Sequence, residues 1–220
     1  MADTFVEPAD GFPEWAPIEH PEEEDDRLAV IIDMASGELR GVTEALGTGQ
    51  ITVEEWIDQI TEIIFIYHMA AWMTGSDNID PTDEELATIA DFLADEMAYL
   101  GGFRDALLAE PADIELPGKY RPRIDQYALA VRVAFFIGYA YGFGVNLPFQ
   151  PGERTQCHRQ CKCYWSIDEI DPVAGDYDAT WHLGIADHCE TCVARAFGCN
   201  PLEVRGGIWN SNQITADMYA

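Results

Sequence analysis

All six cysteines of the chain fall between Cys157 and Cys199, and the long stretch before Cys157 holds none. Cysteine used only as a small apolar filler is scattered through a core, so this crowding points to thiolate chemistry. Two tight pairs stand out: Cys161-Lys162-Cys163 and Cys189-Glu190-Thr191-Cys192. A turn carrying two closely spaced cysteines offers two thiolates to one point. Two such turns separated by a longer loop are how a small domain surrounds a tetrahedral Zn²⁺. The expected ligands are Cys161, Cys163, Cys189 and Cys192, with Cys157, His158 and His188 close enough to replace one of them. Cys199, two helical turns beyond Cys192, reads as a buried thiol. A short segment buries too little apolar surface to fold securely alone, and a structural Zn²⁺ can supply on the order of 10 kcal/mol. Six cysteines could also form three disulfides. The opening Met1-Ala2-Asp3-Thr4 lacks the cationic start and apolar run of a secretory leader, and without export disulfides are disfavoured. Zn²⁺ is the expected cofactor.

The elements that must position these thiols follow from local patterning. Residues 163–170, with Tyr164, Trp165 and Ile167, favour a strand; Asp171-Pro172 and Gly175-Asp176 supply a turn; 177–183 make the return strand. Antiparallel pairing brings the two cysteine pairs together, because they sit at the outer ends of this hairpin. A helix is expected over 189–197, and 200–207 reads as extended and loop-like. Upstream, apolar spacing predicts a helix over 27–46, and Thr52 with Glu55 caps a second that runs to about Met73. That second helix is apolar on nearly all sides and should be the central buried one, with His68 a core histidine. Thr82 with Glu85 caps a third helix to Leu108, with a candidate break at Gly101-Gly102. Residues 111–122, holding three prolines, read as a linker, and a fourth, aromatic-rich helix is expected over 123–143. The fold class is therefore mainly α: an acidic, Pro-rich arm (1–26), a helical domain (27–146), and a small zinc-stabilised α+β module of β-hairpin plus helix (147–220).

Forty acidic residues against twelve basic give a net charge of −28. Such a surface repels phosphate, so direct nucleic-acid binding is disfavoured despite Arg154, Arg159, Lys162 and Arg195 in the cysteine block. The longest uncharged apolar runs fall short of the roughly 20 residues a membrane-spanning helix needs. His188-Cys189-Glu190 matches only the first half of a zinc-deaminase signature, and no phosphate-binding loop or nucleophile elbow is present, so no catalytic residue is assigned. A zinc-dependent hydrolase or deaminase, and a zinc-ribbon adaptor for nucleic acid or a host factor, remain as alternatives.

Leu147-Pro148, Pro151-Gly152 and Cys157-x-x-x-Cys161-Lys162-Cys163-Tyr164-Trp165 together resemble a pattern in tailed-phage minor head and head-morphogenesis proteins of the Mu F-like kind. The later run from Thr180 through His188-Cys189-Glu190-Thr191-Cys192, with Asn200-Pro201-Leu202-Glu203-Val204-Arg205, is similar to related virion proteins. Gln160 and Lys162 stand where the pattern has Asn and Arg, and the two cysteine segments come in the opposite order, as in a sister group. The resemblance covers roughly residues 120–209. It implies a virion structural component, in the host cytoplasm during assembly, that contacts portal or capsid proteins in an oligomeric particle and has no established catalysis.

Overall fold

The computed structural model describes residues 26–78, 80–109, 116–151, 163–184 and 188–219. Four long helices come first: α1 (Asp26–Gly47), α2 (Val53–Ser76), α3 (Asp83–Leu108) and α4 (Leu116–Gly142). The acidic arm, apart from Asp26 at the start of α1, lies outside the described residues. Both expected capping boxes are present. The Thr52 hydroxyl accepts from the Glu55 N–H at 3.1 Å while Glu55 Oε2 accepts from the Thr52 N–H at 2.8 Å. Thr82 and Glu85 repeat the arrangement at α3, each satisfying an N–H that has no partner inside its helix. Gly101-Gly102 does not interrupt α3, which is continuous.

One expectation is corrected here. The linker over 111–122 gives way to helix from Leu116 onward. Pro117 falls in the first turn, where a missing N–H costs nothing, and the packing of later turns outweighs the bond that Pro122 removes. Helix α2 packs against α1, α3 and α4 and so stands at the centre of the helical half, as expected, while α4 packs against α1, α2 and the first strand. Ile124, Tyr127, Ala128, Val131 and Ala134 are all about 1 % exposed. The burial of α2 is not complete on all sides, since Phe65 and Ile66 are about half exposed. His68 is fully buried, its Nδ1 donating to the Ile64 carbonyl at 2.7 Å.

Two glycines allow α2 and α4 to pack backbone on backbone. A Cβ on Gly138 would lie 2.2 Å from the Trp72 carbonyl oxygen, and one on Gly75 would lie 2.1 Å from that of Phe135. No other residue fits either position.

Beyond α4 the chain builds a four-stranded antiparallel sheet in the order β1 (Tyr164–Asp171), β2 (Asp176–His182), β3 (Leu202–Arg205), β4 (Ile208–Trp209), with α5 (Glu190–Gly198) between β2 and β3. The expected hairpin is present, with Trp165 opposite Trp181 and Ile167 opposite Ala179. The tail read as loop-like instead supplies β3 and β4. Leu202 and Val204 are fully buried while Glu203 and Arg205 face solvent, a period-2 alternation only four residues long. An isolated hairpin is marginal, and the added strands extend it into a sheet with a buried face.

Among the described residues the buried apolar side chains form two clusters. One fills the space among α1, α2, α3 and α4. The other lies between the sheet, α5 and the C-terminal 3-10 turn at Ala216–Met218, and includes Ala140, Val145, Leu147 and Phe149. Tyr139 packs against both and joins them: it stacks on Phe135 with centroids 6.4 Å apart and meets Phe143 edge-on at 5.1 Å. No described helix is long and apolar enough to cross a membrane.

Candidate metal centre

Cys163 immediately precedes β1 and is buried; His188 lies two residues before α5. The fold brings them together, with Cys163 Sγ 3.9 Å from His188 Nδ1. Zinc bonds of about 2.3 Å to sulfur and 2.1 Å to nitrogen, at a tetrahedral angle, separate two such donors by roughly 3.6 Å. The pair is therefore near ligand spacing. Cys189 is the residue preceding α5, with extended backbone angles and no side-chain cap bond, and Cys192 is buried in the first turn. The helix start thus carries both thiols of the second pair, with His188 adjacent. Cys157, His158 and Cys161 lie outside the described residues. Among the described residues no group of three or more His, Cys, Asp or Glu side chains is arranged to hold a metal ion. The expected role of His188 as a substitute donor is the part to which the geometry gives a distance.

Cys199 sits apart from this corner. It ends α5, is fully buried, and its carbonyl accepts from the Trp181 N–H at 2.9 Å, tying helix to sheet. Burial pushes its thiol pKa up to about 12, against the opposing pull of Arg195. A thiol held protonated is a poor ligand and a poor nucleophile.

Arg195, counted from the sequence with the basic residues of the cysteine block, is fully buried instead. Its guanidinium lies over the Phe149 ring at 4.0 Å and the Trp181 ring at 5.2 Å, and Nε donates to the Met218 carbonyl at 2.9 Å. It cannot reach a phosphate backbone. Arg154, Arg159 and Lys162 lie outside the described residues.

Sequence reasoning missed one polar pair. Ser166 on β1 and His182 on β2 share the sheet face opposite the buried one, and Ser166 Oγ lies 2.7 Å from His182 Nε2. The His182 ring stacks on Tyr164 at 4.7 Å. Burial lowers the His182 pKa, and the Asp168 carboxylate opposes that shift. A neutral ring with its proton on Nδ1 accepts from the serine hydroxyl. His182 Nδ1 is buried with no hydrogen-bond partner among the described residues, so no third group orients the ring in the manner of a nucleophile triad. Through Tyr164, which stacks in turn on Phe136 at 6.4 Å, the His182 ring is linked to α4. Only the register makes the pair visible: residues sixteen apart in sequence meet because Tyr164 pairs with His182 and Ser166 with Thr180.

No protein-family model matches the chain, and neither does any curated protein or solved structure.

Proposed function

We propose that this protein is a non-catalytic assembly component of a tailed-phage particle, of the minor head or head-morphogenesis type or a sister group. In this reading the helical half makes protein–protein contacts, and one structural Zn²⁺ clamps the C-terminal module. The observation that carries the clamp is the approach of Cys163 and His188 to 3.9 Å beside the Cys189 and Cys192 turn of α5. Four protein donors close a zinc site and leave no position for a catalytic water. Cys163, Cys189 and Cys192, which do not form a ready-made metal-holding group by themselves, would be drawn in by the ion as three of the donors, with Cys161 or His188 the fourth. The ion would join the start of β1 to the start of α5, two points far apart in sequence. The viral role is supported by the residue pattern over roughly 120–209, and by an acidic surface that suits protein partners better than nucleic acid.

Elemental analysis of the purified protein is expected to give about one zinc per chain, released by a strong chelator with loss of the module's near-UV signal. Immunogold labelling of particles purified from the source culture is expected to mark heads. Metal-free protein indifferent to chelation overturns the clamp, and unlabelled particles overturn the assembly role.

A further inference from the structure

The outer side of the helical half carries a groove of about 400 Å³ between α1 and α2. Val42, Ile63 and Ile66 give it an apolar lining, Glu38 and Glu62 an acidic one, and Gly41 an open place: a Cβ there meets nothing within 4 Å. Along α1, Met34 and Val30 lie one and two turns before Glu38 on the same helix face, 53 % and 56 % exposed. From Val30 to Gly41 that face is about 16 Å long, room for some three turns of a partner helix. On α2, Phe65 and Ile66 are 50 % and 49 % exposed. Isolated exposed apolar residues are ordinary; here Ile66 lines the groove itself and Met34 and Val30 continue the helix face of Glu38 that borders it, which marks a contact surface.

The charge beside this groove selects its occupant. Helix α2 carries Glu54, Glu55, Asp58 and Glu62 with no Lys or Arg. The two arginines of α1 are engaged in ion pairs, Arg40 with Asp125 at 2.8 Å and Arg27 with Asp77 at 3.8 Å. The Tyr67 hydroxyl donates to Glu38 Oε1 at 2.7 Å and so fixes one carboxylate at the groove. A second copy of the chain brings another −28 charges to the same place, and residues 1–26 bring ten acids with no Lys or Arg. Both are repelled. A helix with apolar residues on one face and Lys or Arg beside them satisfies the apolar lining and the acidic flanks together.

We propose that the α1–α2 groove docks a cationic amphipathic helix of a partner protein. This goes beyond the assembly reading, because it concerns the helical half alone and does not depend on zinc.

The test uses the full chain and a fluorescein-labelled peptide of about 18 residues with Leu and Lys at amphipathic helical spacing. Two controls accompany it: a scrambled peptide of the same composition, and one with Glu in place of Lys. Fluorescence anisotropy is expected to show the amphipathic cation binding about tenfold or more tighter than the scrambled peptide, and weakening as salt is raised. Ile66→Asp and Gly41→Leu, on exposed positions and checked for native circular dichroism, are each expected to weaken binding about tenfold. Equal affinity for the scrambled peptide overturns the proposal, since that is non-specific attraction to an acidic protein. So does binding unchanged in both variants, or preference for the Glu peptide. Self-association of the wild type that Ile66→Asp abolishes also overturns it, in favour of a second copy as occupant.

Discussion

The Arg195 guanidinium carbon lies 4.0 Å from the centroid of the Phe149 ring, inside a core where both residues are about 1 % exposed or less. Phe149 is also stacked on Trp165 at 5.6 Å and met edge-on by Trp181 at 5.5 Å and Tyr219 at 6.0 Å. One cation thus ties the segment after α4, helix α5 and, through the Met218 carbonyl, the C-terminal turn. Arg195→Met keeps most of the volume but leaves that buried carbonyl unsatisfied and removes the cation from the aromatic faces. The expected cost is about 3 kcal/mol, read as a lower denaturation midpoint with an unchanged slope. Lysine at this position is expected to restore less than half of it, because an ammonium has no planar fork to lie flat on a ring while donating sideways.

The contact between α2 and α4 is equally sharp. Gly138→Ala puts a methyl 2.2 Å from the Trp72 carbonyl oxygen, against backbone that cannot swing away. The helices must separate, and the expected loss is on the order of 3 kcal/mol by thermal or denaturant unfolding. Gly41→Ala on α1 opens onto free space and is expected to stabilise by about 0.5–1 kcal/mol through helix propensity alone. If both glycines respond alike, close approach is not what Gly138 provides.

How far these features could be read from the sequence depends on range. Thr52 with Glu55, and Thr82 with Glu85, are local: three residues decide the geometry, and both boxes stand as expected. The hairpin was legible too, since Trp165, Ile167, Tyr177 and Trp181 alternate around an Asp-Pro and Gly-Asp turn. What escaped was decided at long range. Leu202 and Val204 alternate for too short a run to announce a strand without β2 beside them. Arg195 looked like surface charge until Phe149 and Trp181 enclosed it, and Leu116–Pro122 looked like linker until the rest of α4 was packed. At the candidate site the approach of His188 to Cys163 was within reach of the spacing argument, whereas the Ser166–His182 pair was not.

His182 gives the module a pH dependence whose sign follows from its burial. The folded-state pKa lies below the ordinary value, so between the two values the folded form binds fewer protons than the unfolded one. Stability from this group is complete above the unfolded pKa of about 6.5 and is lost as pH falls through the folded value. Thermal melts taken downward from about pH 7.5 are therefore expected to show a falling midpoint before the carboxylates titrate. His182→Gln, which keeps a hydrogen-bonding group near Ser166, is expected to flatten that segment. An unchanged slope in the variant would place the titrating group elsewhere.

The proposed clamp predicts an order of thiol reactivity. Cys199 is enclosed by the sheet and α5 and its pKa is raised to about 12, so an alkylating reagent near pH 8 finds almost no thiolate there and no path to it. Cys163, Cys189 and Cys192 lie at the corner where the starts of β1 and α5 meet, and bound zinc would shield them until it is removed. Alkylation followed by peptide mass mapping is then expected to show three stages. Native protein reacts little at any of the four. Chelator exposes Cys163, Cys189 and Cys192 together, and denaturant adds Cys199. Substitution distinguishes metal protection from burial: Cys163→Ser should cut zinc content sharply and release Cys189 and Cys192 to the reagent without denaturant, while Cys199→Ala should leave zinc content intact. Simultaneous exposure of all four by chelator alone would mean that the whole module unfolds with the metal. Indifference of Cys189 and Cys192 to both chelator and Cys163→Ser would leave burial, and not an ion, as what protects them.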